Sequence, residues 1–257
     1  MAGEEDYKEL WISHYSVALW SSAELWEGYL GGIEDLFGDR LERLDERDPV
    51  RRRVESAAGQ GAFVVEFEEN EDRRWVSGRF RESRIGVSIT LSRGEKDWAG
   101  RYVDNDIVVT APERLLREER ERLVELFRLG NEKLRPYYGY ADSWGTVAGW
   151  CLPGERYQVN KELLGIFWLT YFGPPYCEFF GRERLLGLEG AEAGPGGGVT
   201  LRLAAGPEEV RDRRRTEVMV NLGRMSFYGS GGVKEDGQYA LSLEQLHEWR
   251  RRQRDGA

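Results

Sequence analysis

The spacing of apolar side chains divides this chain into strands, where they alternate, and helices, where they recur every three to four residues. The clearest strand is Arg84–Ser92, in which branched apolar residues alternate with Gly, Ser and Thr. The clearest helix begins at Pro112 and places leucines, Val124 and Phe127 on one face, with charged residues opposite. It is predicted to end at Arg135, because Pro136 cannot continue it.

The same patterns predict the remaining elements. In the first half these are strands at Leu10–Trp20, Ala62–Phe67, Trp75–Phe80 and Arg101–Thr110, and helices at 21–37 and 48–59. In the second half they are strands at Thr146–Leu152, Ile166–Phe172 and Val199–Ala204, and helices at Pro174–Leu186, Pro207–Leu222 and after Ser242. Ser21 and Glu24 have the spacing of a capping box at the first helix. The segment Tyr137–Trp144 is typical of an aromatic turn or linker.

Both halves therefore combine strands with helices, which predicts an α+β protein. We expect two ferredoxin-like α/β-sandwich lobes, a possible architectural duplication, with antiparallel or mixed sheets and helices on one face. The expected boundaries are 10–136 for the first lobe and 144–228 for a second lobe packed on it. Residues 229–257 would add a Gly-rich loop and a terminal helix.

The stretch Gly165–Leu188 is the most aromatic part of the sequence and contains no obvious acid, base or nucleophile. So much aromatic area is expected to be buried, which predicts a core strand and the helix that packs beside it. The side chains expected in the core are Trp20, Phe167, Trp168, Leu169, Phe172 and Phe179.

The composition of the chain excludes several classes of function. The 257 residues include 37 basic and 46 acidic side chains, a formal net charge of −9, which argues against nucleic-acid binding. Cys151 and Cys177 match no metal-binding spacing and are expected to be reduced and buried. No signal-like segment or long apolar run is present, so we expect a cytoplasmic protein without a membrane span.

A search for chemistry finds no complete motif. The run Gly194–Gly198 lacks the Lys-Ser/Thr of a phosphate-binding loop and precedes a strand, so a turn is expected. The arginines at 211 and 213–215 alternate with acids and predict a self-paired, solvated helix face. His14 and His247 are the two histidines, and neither has a sequence context that indicates catalysis. The sequence therefore predicts no enzyme activity and no cofactor.

A family resemblance sharpens this picture. The segments IFWLTYFG, PPYCEFFGRERLL, GGGVTLRLA and PEEVRD follow one another here, and WSS, SRIGVSITL and VVTAP precede them. This series resembles bacterial immunity-protein families of polymorphic toxin and type VI secretion systems, over residues from about Trp11 to Phe227. The resemblance implies a cytoplasmic protein that binds and neutralises a cognate toxin by protein contact, without catalysis.

The expected partner is a protein, for which a basic toxin domain is the candidate. Binding to nucleic acid or to a membrane is not expected. The residues expected to bind it lie at hairpin ends rich in acidic and aromatic side chains: Glu68, Glu69, Glu71, Asp72, Trp75, Trp98 and Tyr102. Two alternatives remain open. One is a structural or accessory subunit of a larger defence or phage-related complex; the other is a metal-dependent nuclease or hydrolase using Asp104 and Asp106.

Overall fold

The structure is a computed structural model, and its described residues are 9–18, 20–46, 49–69, 71–150, 163–227 and 240–255. By their internal contacts the residues form two compact units, an N-terminal unit, Glu9–Pro136, and a C-terminal unit that includes the chain from Tyr137 onwards. Both units mix strands and helices, which confirms the predicted α+β class. None of the helices in the described ranges combines the length and the apolar character needed to cross a bilayer.

In the described part of the N-terminal unit, five antiparallel strands form a sheet in the order β2-β3-β4-β5-β1. Its strands are β1 (Leu10–Ser16), β2 (Leu41–Asp45), β3 (Arg73–Phe80), β4 (Gly86–Ser92) and β5 (Asn105–Ala111). Its helices are α1 (Ala23–Phe37), α2 (Gly61–Val65), α3 (Glu113–Glu118) and α4 (Arg120–Leu134). Helices α1 and α4 pack on one face of the sheet, where His14 stacks on Phe127 with ring centroids 5.2 Å apart.

In the described part of the C-terminal unit, four antiparallel strands follow the order β6-β7-β9-β8. They are β6 (Tyr138–Ser143), β7 (Leu169–Phe172), β8 (Ala191–Ala193) and β9 (Val199–Arg202). The helices are α5 (Trp144–Trp150), α6 (Pro174–Phe180), α7 (Arg182–Leu186), α8 (Asp212–Leu222) and α9 (Leu243–Asp255). The strands of the two units differ in number and order, so the expected ferredoxin-like duplication is not confirmed.

Several predicted elements change type. The segment predicted as a strand at Ala62–Phe67 forms helix α2, and a Cβ on Gly61 would lie 2.0 Å from the carbonyl oxygen of Ala23 on α1. The predicted helix at 48–59 is an irregular segment instead, where it is described, with one bridge residue at Arg53 and a turn that ends at Gly59. The carboxylate of Asp45 holds it by accepting the backbone N–H groups of Arg51 and Arg52, both at 3.0 Å. In both cases tertiary contacts outweigh the local pattern.

In the second half, the expected linker at Tyr137–Trp144 is strand β6, and the expected strand at Thr146–Leu152 is helix α5 as far as Trp150. The predicted long helices also break. Helix α6 ends at Gly181, whose φ of 85° is left-handed, and the helix from Pro112 divides at Glu119. The cap of α1 is Ser22, rather than Ser21, and accepts from the backbone N–H of Leu25.

Five of the six expected core residues are fully or almost fully buried: Trp20, Phe167, Trp168, Leu169 and Phe172. In the C-terminal unit the ring of Phe167 stacks on Tyr140 at 4.4 Å, and the indole N–H of Trp168 donates to the carbonyl of Ala204. The sixth, Phe179, is 44% exposed, so it is not a core residue. Phe180, the next position along the helix, is buried and faces the core instead.

Candidate partner-binding surface

The acidic residues before β3, which are Glu68, Glu69, Glu71 and Asp72, lie together with the β4–β5 hairpin at one end of the N-terminal sheet. The backbone N–H of Arg93, at the base of the hairpin, donates to the carbonyl of Asp72 at 2.9 Å. Its guanidinium donates to the carbonyls of Glu69 and Glu68 at 3.0 and 3.4 Å. Residues that are more than twenty positions apart in sequence thus form one surface.

The tip of the hairpin is ordered by Asp97. Its carboxylate accepts the backbone N–H groups of Ala99 and Arg101, both at 2.9 Å, and the side chain of Arg101. The backbone N–H of Arg101 is the main cause of the lowered pKa of Asp97, with the ion pair to Arg101 adding to it. Trp98 follows directly and is 84% exposed. The tip therefore presents a large apolar ring on an ordered turn.

Trp75 and Tyr102 lie in different settings. Trp75 is on β3, on the face opposite to α1 and α4 (the outer face), where it is 38% exposed and its indole N–H donates to the Ser88 hydroxyl at 2.7 Å. Tyr102 is half-buried near the hairpin, and the Lys96 ammonium lies 4.3 Å from its ring centroid. Both rings are already held by neighbours, which leaves Trp98 as the most accessible aromatic ring of the set.

The four predicted acids divide into two groups. Glu71 accepts from the backbone N–H of Glu68 and pairs at 3.6 Å with Arg74, a buried guanidinium that also binds Glu46. Glu71 thus helps to hold the loop together. In contrast, Glu68, Glu69 and Asp72 are exposed, and their carboxylates form no ion pair within the described part of the chain.

Asp104 and Asp106 do not assemble a metal site with a third ligand in the ranges that the structure describes, where no group of three or more such residues is placed to hold an ion. Asp106 instead pairs with Arg73 at 3.4 Å and accepts from the Thr90 hydroxyl. Burial raises the pKa of Asp106, and Arg73 opposes that shift.

Two further features escaped sequence reasoning. Arg215, expected on a solvated helix face, is only 2% exposed and forms an ion pair at 2.8 Å with the fully buried Asp142. Phe179, expected in the core, lines a cleft of about 740 Å³ between α6 and α9, together with Trp249. The sequence signal that could have indicated this cleft is Trp249, an aromatic residue on the amphipathic terminal helix.

Two other predictions concern the Gly-rich loop at 229–239 and the cysteines. The loop and Cys151 lie outside the described residues. Cys177 is a free, buried thiol.

Comparisons with known proteins relate the fold to a solved structure. No family model and no curated protein matches the sequence. The fold is similar to that of a protein described as "Pseudomonas aeruginosa T6SS protein PA0821", with a TM-score of 0.61 and 17% sequence identity. The match covers 95% of this chain and 84% of that one. At this identity the likeness establishes a common fold.

Proposed function

We propose that this chain is an immunity-type protein associated with a type VI secretion system, which binds and neutralises a cognate toxin without catalysis. The observation that carries the proposal is the exposed Trp98 on its Asp97-ordered turn, beside Glu68, Glu69 and Asp72. The fold shared with a type VI secretion protein supports the biological setting.

The physical argument concerns affinity and rate separately. A rigid, exposed indole can fill a pocket on a partner at small cost in conformational entropy, and Trp is enriched among the residues that dominate binding energy. Exposed carboxylates beside it speed association with a basic partner by electrostatic attraction. A basic, nuclease-like toxin domain is therefore the partner that this surface fits best.

The test is binding to, and protection from, the effector protein encoded beside this chain. We expect Trp98→Ala to weaken binding by about 2 kcal/mol or more, roughly thirtyfold in Kd, since an anchor ring is lost. Its melting temperature should remain unchanged because the ring is 84% exposed. Val220→Ala removes another exposed apolar side chain, on α8, and serves as the matched control.

The proposal fails if the wild-type chain neither binds nor protects against that effector. The choice of surface fails separately if Trp98→Ala and Val220→Ala bind equally well while the wild type protects. Titration of the binding rate with salt provides a third measurement. The association rate should fall steeply with ionic strength, and less steeply in a Glu68→Gln/Glu69→Gln variant.

A second candidate function, an accessory subunit of a larger assembly, is favoured by the exposed ring of Phe179 in the α6–α9 cleft. It predicts a stable oligomer in light scattering that Phe179→Ser dissociates. A monomer for both the wild type and the variant would remove this candidate for self-assembly.

A further inference from the structure

Three arginines from separate segments form one row across the edge of the N-terminal sheet. Arg43 on β2 is directly opposite Arg79 on β3, and on its other side it forms an antiparallel bridge with Arg53. Directly opposed residues in antiparallel strands project to the same face, so the three side chains are neighbours. Arg79 is in turn opposite Gly86 on β4, and Arg84 lies in the β3–β4 turn beside it.

These four guanidiniums have no carboxylate partner within the part of the chain that the structure describes. Arg43 donates to the carbonyl of Val50 at 3.2 Å, and the other three side chains form no hydrogen bond there. This is unexpected in a protein of net charge −9. Like charges directly opposite in a sheet destabilise it, so the row costs stability unless an anion is bound.

The turn that carries Arg84 is held in a strained shape. Arg84 has a φ of 65°, which is unfavourable for a residue with a side chain. The buried carboxylate of Asp39 fixes the turn by accepting the backbone N–H and the hydroxyl of Ser83, at 2.7 and 2.6 Å, and the backbone N–H of Glu82. Burial opposes the negative charge of Asp39, but these hydrogen bonds, with that from Arg40, outweigh it and lower its pKa.

A groove of about 610 Å³ on the outer face continues from this cluster. Arg79 and Arg84 line one part of it, and Trp11, Trp75, Ser88 and Thr110 are among its other lining residues. The groove stays open at Gly86, where a Cβ would lie only 2.7 Å from the Thr110 hydroxyl oxygen. Among the described residues, Glu9 is the one acid that lines it. The groove therefore combines unpaired guanidiniums with hydroxyl groups and indole rings.

We infer that this groove binds a carboxylate-bearing segment of a protein partner, with the carboxylates at Arg79 and Arg84 and an apolar side chain between Trp11 and Trp75. Guanidinium groups form charge-assisted, often bidentate hydrogen bonds with carboxylates. This inference holds whether or not the chain neutralises a toxin. The charge of the groove is positive, opposite to that of the acidic surface around Trp98.

A nucleic-acid ligand fits the same groove less well. A polyanion that continued along β3 from Arg79 would pass Asp72 and the exposed Glu68 and Glu69 at the other end of the sheet. The net charge of −9 also repels a phosphate polymer at long range. A peptide with its acids confined to one end avoids both penalties.

The probes are two labelled peptides that differ only in charge, one with four glutamates and a tryptophan, the other with four glutamines and a tryptophan. Binding to the full chain is measured by fluorescence anisotropy at low ionic strength, where screening is weak. Arg79→Gln/Arg84→Gln is compared with Arg117→Gln/Arg213→Gln, which removes the same charge from exposed arginines that already have glutamate partners. We expect the first variant to weaken binding of the glutamate peptide by about tenfold or more.

Two further measurements make the test specific. The indole signals of Trp11 and Trp75, but not that of Trp98, should shift in ¹⁵N NMR spectra when the glutamate peptide binds. Without ligand, Arg79→Gln/Arg84→Gln should melt about 1–3 °C higher than the wild type, because repulsion is relieved.

Equal binding of the two peptides, or an equal loss of binding in both variants, would overturn the inference. Tighter binding of an oligothymidylate of the same charge would replace the peptide by a phosphate polymer and overturn it as well.

Discussion

Replacing Arg215 by methionine tests the buried ion pair in the C-terminal unit. Its guanidinium lies 2.8 Å from the carboxylate of Asp142, and the two side chains are 2% and 0% exposed. The same nitrogen donates to the carbonyl of Ile166 at 3.2 Å. Asp142 also accepts the backbone N–H groups of Trp168 and Ser143, both at 2.8 Å. The pair thus connects α8 with β6 and with the segment that enters β7.

Methionine fills similar volume without a charge, so the main effect is an unpaired carboxylate in the core. Removing one partner of a buried pair costs about 3–5 kcal/mol. In the variant, the backbone N–H groups of Trp168 and Ser143 still donate to the Asp142 carboxylate. We therefore expect a cost near the lower end of that range, about 3 kcal/mol. For a chain of this length that corresponds to a decrease of about 6–12 °C in melting temperature.

The loss should also depend on pH. Burial raises the pKa of Asp142, and Arg215 opposes this shift. Without Arg215 the pKa rises further above its unfolded value, so the folded state then disfavours ionisation. The stability deficit of the variant should therefore be largest at pH 8 and decrease as the pH falls to 5, where Asp142 in the folded state gains a proton more readily.

The assay is urea and thermal unfolding followed by circular dichroism at both pH values. Arg213→Met is the control, because Arg213 lies on the same helix, is exposed and pairs with Glu217 at 2.8 Å. We expect it to change stability by less than about 0.5 kcal/mol. A loss of less than about 1 kcal/mol in Arg215→Met, or the same loss at both pH values, would contradict this role of the buried pair.

Three other changes test the two cores and the β3–β4 turn. Burial lowers the pKa of His14 to about 4, so stability should fall by on the order of 3 kcal/mol between pH 6.5 and 4, and His14→Phe should remove this dependence in urea titrations. Asp39→Asn should cost about 2–4 kcal/mol at pH 7 in urea unfolding, and the difference should shrink as the pH falls through the lowered pKa of Asp39. Trp168→Ala should cost about 3–5 kcal/mol in the same measurement, whereas Phe179→Ala, at a 44% exposed ring, should cost less than about 1; equal effects would contradict the assignment of core and surface.

Elements with a long, regular pattern could be predicted from sequence. The alternation around Ile89 gave strand β4, and the leucine-rich face before Pro136 gave α4, because burial of one face decides both. The aromatic residues Phe167–Leu169 and Phe172 were also placed in the core correctly, whereas Phe179 on the following helix was not. In each case the pattern extends over enough residues to outweigh local preferences.

Short apolar segments could not be predicted in this way. The five residues of α2 have no distinguishable period, and their helix depends on Gly61 lying against Ala23 of α1. Arg215 was misassigned for a related reason. On the sequence it belongs to an alternating run of charges, and only the fold places Asp142, 73 positions away, against it.

The arginine row shows why binding surfaces are harder to predict than cores. Residues 53, 43 and 79 become neighbours only through strand pairing, which no local pattern contains. A side chain retained for folding stabilises what it contacts, whereas opposed arginines without carboxylates destabilise the unliganded sheet. The sign of the stability change on substitution therefore separates the two roles, with a loss expected for Arg215 in the core and a gain expected for Arg79 at the groove.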